Sequence, residues 1–397
     1  MNNLQNISLE GKRVLIRVDF NVPLDEHFNI TDDSRIQAAL PTIKKVMSDG
    51  GKAIIMSHLG RPKNGFEEKF SLKHTVNHLT TLLNKTVLFS SDCIGENTLS
   101  DIAKMENGDI LVLENLRFYS EEKRGDKEFA KKLANLADVY VNDAFGTAHR
   151  AHASTAIIAE YFPNDKYFGF LLSGEVTSLE KALSTPKRPF TAIIGGAKIT
   201  GKIDVIQSLF DKVDNLIIGG GMAYTFAKAM GGEIGKSLVE DEKIALAKRL
   251  IEDAKNKGIK LLLPTDSVNA DDFNNNANTN ITKIGEVESN YMGLDIGPES
   301  VEMFVETIKN SKTIIWNGPM GVFEMENFSK GTKEIGEAIC EATENGAFSL
   351  VGGGDSVAAV KKFGFADKVS YISTGGGAML EYLEGKELPG VVAIQKS

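Results

Sequence analysis

The sequence has little cysteine, no long apolar segment and no excess of positive charge. Only two cysteines occur, Cys93 and Cys340, far apart in the chain, which excludes a disulfide framework or a cysteine-rich metal site and leaves both as packing residues. No run approaches the roughly 20 apolar residues of a membrane helix, and the N-terminus lacks the basic start and apolar centre of a secretory signal. These absences predict a cytoplasmic protein without a membrane partner.

The charge balance is acidic, with 45 Lys and Arg against 54 Asp and Glu and a net charge of −9. Such a chain has no overall positive field, so we expect no nucleic-acid partner. Seven of the nine arginines nevertheless lie within the first 150 residues, and none follows Arg249. Because the guanidinium group suits bidentate capture of carboxylate and phosphate, this distribution predicts an anion site in the first half of the chain.

Length and patterning predict two domains. A chain of 397 residues is too long for one hydrophobic core, and short apolar runs alternate with helical patterns. Such runs are typical of buried strands in parallel sheets, so the predicted fold class is α/β, with two doubly wound, Rossmann-like domains. The predicted strands are Arg13–Val18, Ala53–Ser57, Val87–Phe89, Ile110–Leu113, Val139–Val141, Thr191–Ile194, Leu216–Ile218, Lys260–Leu263, Thr313–Trp316, Phe348–Val351 and Val369–Ile372.

A helix followed by prolines marks the predicted boundary between the domains. Residues Phe170–Leu183 have helical apolar spacing, and Pro186 and Pro189 follow closely, which ends a helix. We therefore predict an N-terminal domain over 1–169, a connector helix over 170–185 and a C-terminal domain over 186–372. The segment 373–397, with its apolar tail, is expected to return and pack on the N-terminal domain.

Polar and cationic residues follow the predicted strands of the first half. Because ligands of open parallel sheets bind beyond the carboxyl ends of the strands, these residues are candidates for a binding site. Several Arg and His side chains on one rim form a cup for a small polyanion, although any one alone is more often part of a surface ion pair. The residues are Asp19, Asn21, Arg35, His58, Arg61, Arg117, His149 and Arg150.

Glycine-rich turns follow the predicted strands of the second half. Glycine lets the backbone approach a phosphate closely, and a helix N-terminus offers free N–H donors. One such turn is weak support, but several in one domain predict a polyphosphate ligand, most simply a nucleotide. The turns are Gly195–Lys198, Gly219–Gly221, Gly352–Asp355 and Gly375–Gly377.

Three charged residues accompany these turns. Lys198 and Lys202 are four residues apart, and we expect them on one face of a helix opened by the first turn, near the phosphates. Asp355 directly follows a glycine turn and is placed to reach a magnesium ion that bridges nucleotide phosphates.

Three local patterns suggest other functions, but each is incomplete. Gly235-Lys-Ser237 resembles the end of a P-loop, but Met230 stands where that motif needs glycine. His74 and His78 have the spacing of helical metal ligands, but the Glu of a zinc-protease motif does not lie between them. No turn completes Gly-x-Gly-x-x-Gly, which argues against a nicotinamide-dependent dehydrogenase. The segment Asn274–Asn280 is interpreted as a polar loop.

Nine segments, in order along nearly the whole chain, resemble the phosphoglycerate kinase family. The resemblance implies a two-domain kinase, usually monomeric, that reversibly transfers the acyl phosphoryl group of 1,3-bisphosphoglycerate to Mg-ADP, giving 3-phosphoglycerate and ATP. One departure is Thr200-Gly201, where many members have a small or hydroxyl residue followed by Asp. The segments are Arg17–Pro23, Ser57–Pro62, Glu114–Phe118, Asp143–His152, Gly195–Lys198, Gly293–Pro298, Trp316–Glu324, Gly352–Ser356 and Ser373–Gly377.

The resemblance also implies roles for individual residues, with Glu324 on the ribose and Asp355 on Mg²⁺ through the nucleotide. The implied glycerate ligands are Asp19, Asn21, Arg35, His58, Arg61, Arg117 and Arg150. The implied nucleotide ligands are Ala197, Lys198, Lys202, Gly219, Gly220, Gly221, Gly293, Leu294, Asn317, Pro319, Gly321, Val322, Glu324, Gly353, Gly354, Asp355 and Ser356.

Phosphoryl transfer between these ligands needs in-line placement and positive charge more than a general base. The expected catalytic groups are Arg35, Lys202 and the helix N-termini at Gly354 and Gly377. Since the ligands are expected on different domains, closure about the connector is expected to join them and exclude water. The alternative, a catalytically silent nucleotide- or sugar-phosphate-binding relative, predicts damage at Lys202, Arg35 or Asp355, and all three are present.

Overall fold

The computed structural model describes residues 2–396. Its contacts divide the chain into two compact units. The first unit contains Met1–Thr177 and Glu387–Ser397, and the second contains Ser178–Lys386. The boundary falls inside the helix that the sequence assigned to the connector. Residues 373–386 belong to the second unit and the last 11, 387–397, to the first; the domain limits and the connector role remain predictions.

The first unit is built on a six-stranded parallel sheet in the order β3-β4-β2-β1-β5-β6. Residues such as Leu15, Ile54 and Val112 have no exposed surface, as expected where helices cover both faces of a parallel sheet. The predicted strands of this half are confirmed, and β6 was missed because its sequence, Lys-Tyr-Phe, has no β-branched residue. The strands are β1 Arg13–Arg17, β2 Lys52–Met56, β3 Leu88–Ser90, β4 Ile110–Leu113, β5 Val139–Asn142 and β6 Lys166–Phe168.

The helices of the first unit pack apolar faces on this sheet. Ile36, Ile43 and Val46 of α1 are fully buried in the core, which follows from their helical spacing. The α-helices are α1 Ser34–Ser48, α2 Lys73–Leu83, α3 Glu96–Ala103, α4 Ser120–Arg124, α5 Lys127–Ala134 and α6 Phe170–Leu183, which crosses into the second unit. Short 3₁₀ helices cover Leu4–Asn6, Glu68–Phe70, Leu116–Phe118, Phe145–Thr147 and Ile157–Tyr161.

The second unit contains a six-stranded parallel sheet in the order β10-β8-β7-β15-β16-β17, a three-stranded sheet β12-β11-β14 and the pair β13-β9. Its core includes Trp316, Phe304 and Ile339, which have no exposed surface. The strands are β7 Phe190–Ile194, β8 Asn215–Ile218, β9 Glu233–Ile234, β10 Lys260–Leu262, β11 Asp266–Ala270, β12 Thr279–Lys283, β13 Glu286–Val287, β14 Met292–Ile296, β15 Thr313–Asn317, β16 Phe348–Val351 and β17 Tyr371–Ile372.

Helices cover the large sheet of this unit, and a last helix belongs to the first unit. None of the helices within residues 2–396 is both long and apolar enough to cross a membrane. The helices are α7 Ile203–Leu209, α8 Met222–Ala229, α9 Ile244–Asn256, α10 Pro298–Lys309, α11 Lys330–Glu344, α12 Gly354–Lys362, α13 Gly377–Leu383 and, in the first unit, α14 Pro389–Gln395. Short 3₁₀ helices cover Asp241–Lys243, Glu326–Phe328 and Ala366–Lys368.

The antiparallel sheet β12-β11-β14 was not predicted. The interpretation of Asn274–Asn280 as a loop is wrong at its end, because Thr279 and Asn280 begin β12. This strand alternates between exposed and half-buried residues and contains a single large apolar residue, Ile281. A polar edge strand of this kind has no apolar run to indicate it.

Candidate functional site

In each large sheet the first strand of the sequence lies in the interior, with later strands added on both of its sides. In the first unit β1 lies between β2 and β5, and in the second unit β7 lies between β8 and β15. The loops at the carboxyl ends of neighbouring strands therefore run to opposite sides of the sheet, and a crevice opens between them. Asp19 and His58 follow β1 and β2 at the first crevice, and the turns Gly195–Lys198 and Gly219–Gly221 follow β7 and β8 at the second.

In the first unit, hydrogen bonds tie the loops after β1, β2 and β4 together. Arg35 Nη1 donates to Asp19 Oδ2 at 3.0 Å, and the Gly60 amide donates to Asn21 Oδ1 at 2.8 Å. Arg117 Nη1 donates to the Gly60 carbonyl at 2.7 Å. These contacts bring residues from three separate segments together at one sheet edge; their role in binding an anion stays a prediction.

Two further arginines lie at the surface of this region. Arg61 and Arg150 are exposed, and Arg150 Nε lies 3.1 Å from His149 Nε2. An exposed guanidinium is available to a ligand without breaking an internal ion pair. Arg61 and Arg150 are therefore candidate ligands of a polyanion.

Beneath the rim lies a buried chain of polar groups that sequence reasoning missed. Arg17, at the end of β1, is 1% exposed, and its Nε donates to Ser154 Oγ at 2.8 Å. Ser154 Oγ donates in turn to Glu122 Oε1 at 2.6 Å, and Arg17 Nη2 lies 3.3 Å from His58 Nδ1. The sequence carried no local signal for this burial, because Arg13 and Arg17 stand at the two ends of the same apolar run and only one of them is buried.

Burial and neighbouring arginines set the charges in this site. Burial lowers the pKa of His58 well below its ordinary value, with further contributions from Arg17 and Arg117. Burial lowers the pKa of His152 to about 4, so both imidazoles are neutral at neutral pH. Burial, with Arg17 and Arg150, lowers the pKa of Arg117 to about 10, which leaves that group charged.

In the second unit a cavity of about 550 Å³ lies beyond the carboxyl ends of β7, β8 and β15. Its size is within the ordinary range for small-molecule sites. The small antiparallel sheet supplies much of its far wall. Predicted nucleotide ligands that line the cavity are Ala197, Gly220, Gly221, Gly293, Leu294, Pro319, Gly321, Val322, Glu324 and Asp355.

The remaining predicted nucleotide ligands are not among the residues that line this cavity. They are Lys198, Lys202, Gly219, Asn317, Gly353, Gly354 and Ser356. Ser356 Oγ accepts from the Gly318 amide at 2.5 Å. Gly219 packs so closely that an added Cβ would lie 2.3 Å from Met320 Sδ. Gly377 begins α13 and is not part of the cavity wall.

Lys202, Asn317 and Asp355 define the polar end of this site. Asn317, the last residue of β15, accepts a hydrogen bond from Lys202 Nζ and donates through Nδ2 to the Gly352 carbonyl at 2.9 Å. Burial lowers the pKa of Lys202, and the carboxylate of Asp355 opposes this shift. Gly353 has φ +92°, and an added Cβ would lie 2.8 Å from Asn317 Nδ2.

The expectation that Lys198 and Lys202 share a helix face is wrong. Helix α7 begins at Ile203, with Lys202 as its N-cap residue, so both lysines lie in the preceding loop. Glu240 holds this loop in another conformation, because its carboxylate accepts from the Ile199 amide at 2.5 Å and from the Thr200 hydroxyl at 2.5 Å. Lys202 nevertheless reaches the strand end through its long side chain.

Several side chains of the cavity were not identified from the sequence. Tyr224 is buried in its wall, and the exposed apolar side chains Leu238 and Phe273 also line it. Lys236, from the segment set aside as an incomplete P-loop, lines the cavity as well. A sequence signal existed only for Phe273, which stands alone among Asp and Asn residues. Large apolar side chains exposed beside a cavity are typical of binding surfaces.

The histidine pair on α2 is engaged locally. His78 Nε2 lies 2.9 Å from Asp33 Oδ2, and the His74 ring stacks on Phe28 with centroids 4.3 Å apart. Within residues 2–396 no group of three or more His, Cys, Asp or Glu residues is placed to hold a metal ion.

We expect Gly220→Ala to destabilise the second unit by about 1–3 kcal/mol. Gly220 has φ +70°, and an added Cβ would lie 2.6 Å from the backbone nitrogen of Gly196, so both the conformation and the space exclude a side chain. Gly201→Ala is the matched control, because nothing lies within 4 Å of its added Cβ. Denaturant unfolding measures both variants, and equal stability of Gly220→Ala and wild type would contradict the expectation.

Comparison with known proteins gives one consistent result. A family model described as phosphoglycerate kinase matches residues 4–386. Proteins named phosphoglycerate kinase from Porphyromonas gingivalis and Chloroherpeton thalassium are each 55% identical, with 99% of both chains covered. The solved phosphoglycerate kinase structure from Coxiella burnetii is 43% identical, with a TM-score of 0.90, over 99% of this chain and 98% of that one. The one from Pyrococcus horikoshii is 31% identical, with a TM-score of 0.81, over 100% and 98%.

Proposed function

The chain belongs to the phosphoglycerate kinase family and is a glycolytic kinase, and we propose how its two sites carry out the reaction. The arginine-lined site of the first unit binds 3-phosphoglycerate or 1,3-bisphosphoglycerate, and the cavity of the second unit binds ADP or ATP. This assignment rests on the different chemical groups that line the two sites. Guanidinium groups converge on one sheet edge, whereas glycine turns and apolar walls surround the cavity on the other.

In the first unit the ligand's phosphate and carboxylate are anionic at neutral pH, so cations and N–H donors must hold them. We assign Arg35, Arg61, Arg117 and Arg150 to these anionic groups. The three remaining predicted ligands are Asp19, Asn21 and His58. Asp19 and Asn21 also position Arg35 and the Gly60 amide by the hydrogen bonds described above.

In the second unit the nucleotide base is assigned to the apolar part of the cavity, near Tyr224 and Leu294, and Glu324 to the ribose. The phosphates then extend toward Lys202 and the N-terminus of α12. Backbone N–H groups at a helix N-terminus favour an anion at that position.

The transferred phosphoryl group moves between a carboxylate oxygen of glycerate and a terminal phosphate oxygen of the nucleotide. Both oxygens are nucleophiles without loss of a proton, so no general base is required. The protein supplies alignment and fixed positive charge, which we assign to Lys202, Arg35 and the helix N-termini at Gly354 and Gly377. A catalytically silent relative is not favoured, since the family matches over nearly the whole chain.

Magnesium is proposed to arrive with the nucleotide. Asp355 is exposed, lies in the first turn of α12 and lines the cavity. A single carboxylate there suits Mg²⁺, which usually keeps waters and phosphate oxygens as its other ligands.

We expect Asp355→Asn to raise the Mg-ADP concentration needed for half-maximal rate by roughly tenfold, the scale of one lost charge-assisted contact. The thermal stability of the ligand-free protein should not change, because this exposed carboxylate holds no metal before the nucleotide binds. Asp367→Asn, at another exposed position of the second unit, is the control. Tight magnesium binding by the nucleotide-free protein, measured by calorimetry, would contradict this assignment.

Domain closure is proposed because the two ligands are assigned to different units. In-line transfer needs the reacting atoms within about 3–3.5 Å. Each ligand alone contacts one unit and gains little from closure, whereas both together favour the closed state. The hinge is proposed near 168–183, where α6 crosses the boundary between units, with a contribution from 373–377.

Small-angle X-ray scattering tests closure. We expect little or no decrease in the radius of gyration with 3-phosphoglycerate or Mg-nucleotide alone, and a clear decrease in the ternary complex. An unchanged radius in the ternary complex would remove the hinge from the mechanism.

We further propose that the enzyme acts as a monomer in the cytoplasm, with small-molecule ligands and without a nucleic-acid or membrane partner. A coupled assay tests the function itself. Purified protein with 1,3-bisphosphoglycerate and Mg-ADP should form ATP, and omission of either substrate should abolish the signal. Absence of ATP formation with intact binding of both ligands would favour the catalytically silent alternative.

A further inference from the structure

Arg17 and His58 form a buried contact. The family resemblance implies that His58 is a glycerate ligand, but it gives Arg17 no role. The two residues are 1% and 3% exposed. Arg17 Nη2 and His58 Nδ1 are 3.3 Å apart. The question is which of the two nitrogen atoms of the imidazole carries the hydrogen when the ring is neutral.

Chemistry decides the direction of this hydrogen bond. Every polar hydrogen of a guanidinium is a donor and the group has no acceptor, so Nδ1 of His58 must accept. The competing partner of Nδ1 is Asp19 Oδ1, which lies 3.9 Å away, too far for a hydrogen bond. A neutral ring whose Nδ1 accepts carries its hydrogen on Nε2.

Arg17 is itself fixed by contacts at its other two nitrogen atoms. Its Nη1 donates to the Val18 carbonyl and its Nε to Ser154 Oγ at 2.8 Å. Ser154 is held by Glu122, whose Oε1 accepts from the hydroxyl at 2.6 Å and whose Oε2 accepts from the amide at 3.0 Å. Glu122 and Ser154 are fully buried, so this support is shielded from water.

We propose that Arg17 is a positioning residue that fixes His58 in its Nε2-protonated tautomer, so that the ring presents an N–H donor to the glycerate ligand. A donor suits the carboxylate and phosphate oxygens of that ligand, whereas the other tautomer would present a lone pair and repel them. The part of the proposal that concerns glycerate rests on the proposed function. The tautomer itself does not, because it is a property of the ligand-free protein.

Nitrogen-15 NMR of histidine-labelled, ligand-free protein tests the tautomer directly. We expect the His58 ring, assigned by comparison with His58→Gln, to show the neutral Nε2-protonated pattern between pH 6 and 8. In Arg17→Met this pattern should be lost or mixed with that of the Nδ1-protonated form. A wild-type ring that is protonated on Nδ1, or charged at pH 7, overturns the proposal even if no Arg17 variant folds.

Kinetics test the consequence for the ligand. Arg17→Met should raise KM for 3-phosphoglycerate by about tenfold or more, the scale of one lost hydrogen bond to a charged group, with nucleotide affinity unchanged. Arg13→Met is the matched control, since Arg13 lies at the other end of β1 and pairs with Asp138 at 2.7 Å; its KM and tautomer pattern should equal those of wild type. An Arg17→Met ring that keeps the wild-type pattern overturns the positioning role. An unchanged KM in His58→Gln instead overturns the proposed ligand role of His58, whatever the tautomer.

Discussion

Replacement of Lys202 by alanine is expected to lower kcat by at least about a hundredfold, with a smaller change in nucleotide affinity. The Lys202 side chain is largely buried and reaches Asn317 at the carboxyl end of β15, beside the turn that begins α12. We expect a positive charge held there before the reaction to stabilise the phosphoryl group more in transit than in either bound state. Such a charge contributes mainly to kcat.

Steady-state kinetics with both substrates varied separates kcat from KM for this variant. Lys248→Ala is a suitable control, because Lys248 is an exposed residue of α9 remote in sequence from the strand ends. Circular dichroism and nucleotide calorimetry establish that the Lys202→Ala protein is folded. A kcat within twofold of wild type would show that Lys202 has no part in the transfer.

The strands, and the meeting of polar residues at one sheet edge, could be predicted because their signals are local. β1, β4 and β16 are short apolar runs, and the residues that follow parallel strands necessarily meet at one sheet edge. This geometry brings Asp19 into contact with Arg35 and brings Arg117 to Gly60. No knowledge of the strand order was needed for that prediction.

The loop of Lys202 could not be predicted, because its conformation is set by a distant residue. Glu240 lies about 40 positions further along the chain and binds the Ile199 amide and the Thr200 hydroxyl. Helical spacing of two lysines carries no information about such a partner. The same limit applies to the cavity wall, where the polar strand β12 has no apolar pattern and contributes through pairing with β11.

Arg17 illustrates a third limit, which concerns burial of charge. In sequence an arginine at the end of a strand resembles the partly exposed Arg13 at the start of the same strand. Only the structure shows that one is buried with Ser154 and Glu122, whereas the other pairs with Asp138 at the surface. The cost of burying a guanidinium is offset when its donors are satisfied, and that condition depends on tertiary contacts.

The second large effect is expected on ligand affinity, and it differs between the two units. Arg61→Ala and Arg117→Ala should each weaken 3-phosphoglycerate binding by about tenfold or more, because each removes a cation from an anion site. Gly293→Ala should weaken ADP binding by a similar factor. An added Cβ at Gly293 would lie 1.6 Å from Tyr224 Oη, so the tyrosine must move within the cavity wall.

Isothermal titration calorimetry of these variants with each ligand tests most directly whether the two substrates bind to different units. Arg61→Ala is the cleaner first-unit variant, because its side chain is exposed and its loss leaves no internal hydrogen bond unpaired. We predict that Arg61→Ala loses 3-phosphoglycerate affinity and keeps wild-type ADP affinity, and that Gly293→Ala shows the reverse. Unchanged glycerate affinity with lost nucleotide affinity in Arg61→Ala would show that the two sites have been assigned to the wrong units.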